Sequence, residues 1–153
     1  MMHADPTPPE TLDEYVLQCD GASRGNPGRA SIGFVLYDPQ GREVVVHAEV
    51  LGDAITNNVA EYTALLRGLD AAVAHGVRRL YVRLDSELVV RQVRGEYRVR
   101  HAGLQPLHAA VRARLGNFAR FRIEHVPRAA NKRADALANA ALDDLVSPGD
   151  TRD

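Results

Sequence analysis

Four acidic residues lie where the sequence pattern gives an acid little structural benefit. Asp20 and Asp85 end two apolar runs, YVLQCD and RRLYVRLD, while Glu61 and Asp135 fall in the opening turns of two helix-like stretches. Strand ends and helix starts can direct side chains into one cleft, where four carboxylates repel each other unless cations hold them. Hard divalent ions such as Mg²⁺ take all-oxygen sites of this kind, usually together with phosphate oxygens. The four acids are therefore candidate metal ligands.

Each acid also has a plain structural explanation. The helix dipole favours an acid at a helix start by about 0.3–1 kcal/mol, which accounts for Glu61 or Asp135 taken singly. An aspartate at a strand end often begins a turn, which accounts for Asp20 or Asp85. These four explanations lose force together if the fold brings the positions to one place. Two Mg²⁺ ions roughly 3.5–4 Å apart suit in-line displacement at a phosphodiester, and Asp20 is then the predicted bridging ligand.

The spacing of apolar residues and of turn residues predicts the elements that must position these acids. The order is β-β-β-α-β-α-α-β-α, and a crossover through the first helix makes the first and fourth strands parallel neighbours. Asp20 and Asp85 then lie side by side at carboxyl ends of strands, where α/β sheets bind ligands. The fold class is α/β, with a five-stranded mixed sheet of three antiparallel strands and then parallel ones, flanked by helices. The predicted strands span 15–20, 30–38, 42–51, 78–85 and 119–127, and the helices 58–75, 86–95, 102–116 and 131–145, the last capped by Asn131.

Two polar segments beside the acids could contact a substrate. The segment GASRGNPG, predicted as a turn, has glycines whose backbone N–H groups can approach a phosphate or a sugar, and Asn26 adds an amide. Asn-Pro-Gly is equally a good turn sequence. Asn57 and Asn58 are either helix caps or amides that reach a minor groove, where a 2′-hydroxyl suits a group that both donates and accepts.

Composition limits the remaining classes of protein. The 153 residues predict one domain over 14–146 between flexible tails at 1–13 and 147–153, and no apolar run reaches the roughly 18–20 residues of a membrane span. The single cysteine, Cys19, fits a reducing compartment, so a cytoplasmic location is expected. A monomer is the expected oligomeric state. Residues 78–133 carry 14 basic and 4 acidic side chains. That block is either a contact surface for a polyanion or a solvated arginine-rich surface.

The chain resembles ribonuclease H of type 1 from about Tyr15 to Leu145. Four motifs carry the resemblance in one order, CDGASRGNPG, TNNVAEYTALLRGL, LDSELVVRQVRGEY and NKRADALAN. The resemblance implies the RNase H-like fold and cleavage of the RNA strand in RNA–DNA hybrids with two Mg²⁺ or Mn²⁺ ions, leaving 5′-phosphate and 3′-hydroxyl ends. It implies that the four acids are both catalytic and metal-binding. The implied contacts to the hybrid come from Gly21, Ala22, Ser23, Asn26, Asn57 and Asn58.

Two features depart from well-known bacterial members of that family. Those members carry a basic, aromatic protrusion between their third and fourth helices, whereas GEYRVRHAGLQPLH passes directly on. Grip on the hybrid then falls to Arg91, Arg94, Arg98 and Arg100, unless these are only surface residues. Those members also carry a histidine in the loop before the last helix, and the loop PRAAN has none, so Arg128 is the predicted substitute. Both departures resemble a shorter branch of the family, and this resemblance leaves open whether other RNA-containing duplexes are also accepted.

Three other functions compete with hybrid cleavage. A non-catalytic hybrid-binding module would be indicated by loss of an acid, yet all four are present. An actin-like or sugar-kinase ATPase needs two domains, for which 153 residues are too few. A related nuclease with another duplex preference, such as a resolvase or a cutter of double-stranded RNA, stays open, although the asparagine pair favours an RNA strand.

Overall fold

The computed structural model describes residues 13–146. Apart from Asp13, the predicted tails lie outside these residues. None of the helices in the described range is both long and apolar enough to cross a membrane. The elements are β1 (Glu14–Arg24), β2 (Gly28–Tyr37), β3 (Glu43–Ile55), α1 (Asn57–Ala74), β4 (Arg79–Leu84), α2 (Glu87–Val93), α3 (Gln105–Leu115), β5 (Arg120–His125), a 3₁₀ turn (Arg128–Asn131) and α4 (Lys132–Val146).

The five strands form one mixed sheet in the order β3-β2-β1-β4-β5. β1, β2 and β3 pair antiparallel, whereas β1, β4 and β5 pair parallel, so the predicted strand directions are confirmed. The register sets Cys19 opposite Leu84. The next residue on each chain, Asp20 and Asp85, therefore stands at the same edge of the sheet, as the crossover through α1 requires.

The two faces of the sheet bury different helices. Leu17, Cys19, Val82 and Leu84 alternate along β1 and β4 on the face that α1 covers, and α3 packs against α1. The opposite face of β1, β2 and β3 is covered by α4. The alternation of side chains along a strand explains why Cys19 is buried in the core while its neighbour Asp20 points to the other side.

The predicted glycine-rich turn is mostly strand. β1 continues through Arg24 by pairing with β2, so only Gly25, Asn26 and Pro27 form the turn. Gly21 sits where the start of α1 crosses β1, and a Cβ there would lie 2.3–2.5 Å from the backbone of Ala60 and Glu61. Only glycine permits this approach, which brings the first turns of α1 directly against the end of the β1–β4 pairing.

The ends of α1 and α2 have ordinary helix-capping chemistry. Thr56 Oγ1 accepts a hydrogen bond from Val59 N at 3.2 Å, and Ser86 Oγ accepts one from Val89 N at 3.3 Å, so these two residues cap the N-termini. Gly76, with φ of 81°, follows the C-terminal end of α1. Asn131 is different, because its side chain does not cap α4 but turns towards β1 and Asp85.

Candidate active site

Three of the four predicted acids form a tight cluster. Asp20, Glu61 and Asp85 each present a carboxylate oxygen, and these oxygens all lie within 4.8 Å of one another. Asp20 is only 4% exposed. Asp135 is not one of this trio, but it interacts with Asp20 and lines a cavity of about 340 Å³ together with Asp20 and Glu61. Strand ends and helix starts thus meet in one cleft, as the sequence pattern predicted.

The cluster is electrostatically costly without a cation. Burial, followed by the charge of Glu61, the side-chain interaction with Asp135 and the charge of Asp85, raises the pKa of Asp20 to about 10. Burial also raises the pKa of Glu61 to about 7, although the hydrogen bond from Gly21 partly opposes it. Within residues 13–146, no lysine, arginine or histidine forms an ion pair with the trio. Clustered carboxylates without a paired side-chain cation fit hard divalent ions.

Two hydrogen bonds from other elements fix the trio. The backbone N–H of Gly21 donates to Glu61 Oε1 at 2.7 Å, which ties the helix ligand to β1. Asn131 is fully buried and donates from Nδ2 to Cys19 O at 2.8 Å and to Asp85 Oδ2 at 3.1 Å. Sequence reasoning missed this role of Asn131, because an asparagine before a helix reads as a cap. The available signal was its place in the same motif as Asp135.

Asp135 is oriented from its own helix and from the β1–β2 hairpin. Asn139, one turn further along α4, donates from Nδ2 to Asp135 Oδ1 at 3.2 Å and to its carbonyl oxygen at 3.0 Å. Arg24 reaches across to Asn139 Oδ1 at 3.3 Å and to Asp143 at 2.7 Å. Sequence reasoning also missed Asn139, although its i, i+4 spacing from Asp135 in NKRADALAN was visible.

The predicted substrate contacts form a polar rim beside the acids. Asn57 Oδ1 accepts from Ser23 N at 3.0 Å, and Asn26 Oδ1 accepts from Asn57 N at 2.9 Å. In the described range, the side-chain Nδ2 groups of Asn26 and Asn57 have no hydrogen-bond partner in the protein. The backbone N–H of Gly21 is already bound to Glu61, and that of Ser23 to Asn57, so neither is free for a substrate. Ala22 lines the acid cavity.

A second cavity continues this rim. It measures about 260 Å³ and is lined by Asn26, Thr56, Asn58, His101 and Leu104. The last two residues belong to the segment that joins α2 to α3. The rim asparagines therefore face the acids on one side and this connection on the other.

Arg128 lies on the 3₁₀ turn and lines the acid cavity, and its charge lowers the pKa of Glu61. His125 instead lines a different cavity with Glu87, Arg91 and Arg94. The structure thus places the predicted substitute, and not the nearest histidine, beside the acids. Its role in turnover stays a prediction.

The arginines that were candidates for gripping a hybrid divide into two pairs. Arg91 is ion-paired with Glu87 at 2.8 Å and with Glu96 at 3.0 Å, and Arg94 with Glu96 at 3.0 Å. Arg98 and Arg100 are exposed and have no ion pair within residues 13–146. Of these four arginines, only Arg98 and Arg100 therefore carry a positive charge that no neighbouring carboxylate offsets in the described range.

Comparison with known proteins agrees with this geometry. A family model described as reverse transcriptase-like matches residues 18–141. Ribonuclease H of Halorhodospira halophila is 34% identical over 146 residues, which cover 84% of this chain and 92% of that protein. The chain belongs to the ribonuclease H family. Ribonuclease HI of Halobacterium salinarum is 46% identical over 125 residues, covering 82% of this chain and 62% of that protein. The predicted family is thereby confirmed, and the predicted enzyme class agrees with these names.

Solved structures of the family share the fold. The N-terminal RNase H domain of a Mycobacterium tuberculosis protein superposes with a TM-score of 0.83 at 41% identity, covering 86% of this chain and 95% of that one. LC11-RNase H1, solved with an RNA/DNA hybrid, gives 0.81 at 37% identity, covering 87% and 99%. The predicted RNase H-like fold is thus confirmed. The chain spans 36% of the full-length mycobacterial relative, named a bifunctional protein.

Proposed function

We propose that this chain is an endoribonuclease that hydrolyses the RNA strand of RNA–DNA hybrids with divalent metal ions. The observation that carries the proposal is the trio of carboxylate oxygens within 4.8 Å of one another, without a paired side-chain cation in the described range. Burial raises the pKa of two of its members, Asp20 and Glu61. Family membership supports it, and a related structure was solved with an RNA/DNA hybrid.

Asp20, Glu61, Asp85 and Asp135 would hold two Mg²⁺ or Mn²⁺ ions when a hybrid is bound. Such ions would lower the pKa of the attacking water and stabilise the leaving oxygen, in keeping with 5′-phosphate and 3′-hydroxyl ends. Asn131 holds Asp85 by Oδ2, which leaves the other carboxylate oxygen of Asp85 for a ligand. Gly21 holds Glu61 in the same way from β1.

The rim amides would select the RNA strand. Asn57 and Asn26 each engage their Oδ1 within the protein, which leaves the N–H groups to donate to a ligand. A 2′-hydroxyl can accept such a bond, and DNA lacks it. Arg128 offsets part of the acidic charge beside the scissile phosphate.

Cleavage of matched RNA–DNA, RNA–RNA and DNA–DNA duplexes, each with Mg²⁺ and with Mn²⁺, tests the proposal. We expect cleavage of the RNA strand of the hybrid, and its loss in Asp20→Asn, Glu61→Gln and Asp85→Asn while hybrid binding in EDTA survives. Equal cleavage of DNA–DNA would contradict the role of the rim amides. Turnover by Asp20→Asn would contradict the metal assignment.

A broader preference that includes double-stranded RNA is the second candidate. It is favoured by one observation: the chain passes from α2 to α3 through residues 94–104 alone, so the region that carries the protrusion in other members is short. Comparable rates on RNA–RNA and RNA–DNA would establish it, whereas binding without cleavage would indicate a hybrid-binding module. A cytoplasmic monomer remains part of the proposal and is tested by fractionation and ultracentrifugation.

A further inference from the structure

The connection between α2 and α3, residues 95–103, is called the strap. It has no regular secondary structure, and its side chains Arg98, Arg100 and His101 are exposed. Its exit lies at the rim, because His101 and Leu104 line the cavity that Asn26, Thr56 and Asn58 complete. The strap therefore carries Arg98 and Arg100, which have no ion pair in the described range, three residues and one residue before His101 at this cavity.

Hydrogen bonds hold the strap at its start, in its middle and at its end. At its entry, Glu96 N and Tyr97 N both donate to Arg91 O, at 2.8 and 3.2 Å. In its middle, Gln105 Nε2 donates to Val99 O at 3.1 Å, and Val99 packs against the core. At its exit, Leu104 is buried and its N–H donates to His101 O at 3.0 Å.

Gln92 is the link between this strap and the core. It is 5% exposed at the C-terminal end of α2, an unusual place for an uncharged polar side chain unless each group is satisfied. Its Oε1 accepts from Tyr62 Oη at 2.7 Å, and its Nε2 donates to Arg98 O at 3.4 Å. Its backbone carbonyl accepts from His108 Nε2 at 3.0 Å. One residue thus joins α1, α3 and the strap.

We infer that Gln92 is a positioning residue for substrate binding, which holds the strap so that Arg98 and Arg100 meet the sugar–phosphate backbone of the bound hybrid. The inference rests on the proposed function. A free segment of this length would lose conformational entropy on binding, whereas a segment already fixed from the core would not. The fixed strap then supplies the grip that the short α2–α3 connection would otherwise lack.

Gln92→Leu keeps the buried volume and removes both side-chain hydrogen bonds. We expect its dissociation constant for the hybrid in EDTA to rise about three- to tenfold, because one anchor of the strap is lost. Turnover at saturating hybrid should stay within about twofold, since Gln92 does not touch the acid cluster. Gln105→Ala, at an exposed site that should not affect folding, should raise the dissociation constant about twofold for the same reason.

A loss of stability alone must be separated from this effect. Tyr62→Phe/Gln92→Leu removes both partners of the buried hydrogen bond, so it should recover part of the melting temperature lost in Gln92→Leu. Its dissociation constant should nevertheless stay raised. Val77→Ala, a cavity variant at the far end of α1, is the control with lowered stability and unchanged hybrid binding. Recovery of binding together with stability, or equal weakening in Val77→Ala, would overturn the inference.

A double-mutant cycle links Gln92 to the arginines. Arg98→Ala/Arg100→Ala should weaken hybrid binding and lower the salt slope of log K by up to about two, one for each phosphate contact. The same pair of changes should weaken binding less in the Gln92→Leu background, because the strap is already loose there. Full additivity would overturn the inference. Wild-type protein that neither binds nor cleaves a hybrid would instead overturn the proposed function.

Discussion

Replacing Asp20 with asparagine should stabilise the metal-free protein at neutral pH. Asp20 is 4% exposed, and burial together with the nearby charges of Glu61 and Asp85 raises its pKa to about 10. In the unfolded chain an aspartate ionises near pH 3.9, so about one proton must be taken up on folding at pH 7. Asparagine has the size and polarity of the protonated acid and needs no proton.

The magnitude follows from the solution pH and the unfolded pKa. Once the folded pKa lies above 7, the free-energy cost at pH 7 no longer depends on how far above it lies. About three pH units separate the unfolded pKa from 7, at about 1.36 kcal/mol each, which gives an upper limit of about 4 kcal/mol. Glu61 shares part of this proton uptake, so a rise in Tm of about 5–10 °C is expected for a chain of this size.

The sign of the pH dependence is fixed by the raised pKa. A carboxyl group whose folded pKa is raised contributes fully to stability below its unfolded pKa, and that contribution is lost as the pH rises towards the folded pKa. Between pH 4 and pH 7, the advantage of Asp20→Asn over the wild type should therefore be largest at pH 7. It should shrink by up to about 1.4 kcal/mol for each pH unit lowered and vanish near pH 4.

Thermal melts in EDTA at pH 4, 5, 6 and 7 measure this effect. Added Mn²⁺ should raise the Tm of the wild type but not that of Asp20→Asn. Asp38→Asn is the matched control. Asp38 is also buried, but hydrogen bonds from the backbone and side chain of Arg42 lower its pKa. Its replacement should therefore destabilise the protein at pH 7. A lower Tm of metal-free Asp20→Asn, or a difference independent of pH, would refute the reasoning and make Asp20 a structural acceptor.

Three further substitutions test the surroundings of the acids. Asn131→Leu removes the side-chain donor to Cys19 O and to Asp85, so it should lower stability by about 1–3 kcal/mol and weaken Mn²⁺ binding in calorimetry. Unchanged Mn²⁺ affinity would exclude a role in orienting Asp85. Asn57→Ala should raise the KM for RNA–DNA, and equal KM values for both proteins would show that the amide does not contact the hybrid. Arg128→Ala should lower kcat more than it raises KM, and unchanged kcat would leave the missing loop histidine without a substitute.

Strand order was predictable because each step depends on local spacing and on chain connectivity. The short turn at residues 39–41, PQG, makes β2 and β3 an antiparallel pair, and the helix between β1 and β4 makes those two strands a parallel pair. The extent of β1 was not predictable, since Gly21–Arg24 has no apolar alternation. These residues are extended because β2 pairs with them and because the start of α1 packs on Gly21. Both causes lie in other elements, which a local pattern does not contain.

The residues of the candidate site also differ in whether the sequence predicts their roles. The acids could be found from their positions, at the ends of two strands that the crossover makes neighbours and at the starts of two helices. The role of Asn131 was missed, because its partner Cys19 O lies 112 residues earlier in the chain and its position before α4 imitates a cap. The basic block at residues 78–133 also offers fewer unpaired charges than its 14 basic and 4 acidic side chains suggest. Arg79 and Arg122 are paired with Asp13 and Glu14, acids that precede the block in sequence.

Catalysis and substrate grip should be separable because they share only one element. Glu61 and Tyr62 are consecutive on α1, and they point in different directions. Glu61 contacts Gly21 and the carboxylates of Asp20 and Asp85, whereas Tyr62 is buried and contacts Gln92 beneath the strap. Changes at Asp20 should therefore abolish cleavage and leave hybrid binding intact. Changes at Gln92 should weaken hybrid binding and leave turnover at saturating hybrid nearly unchanged. If both kinds of change affected both properties, movement of α1 itself would have to couple the acids to the strap.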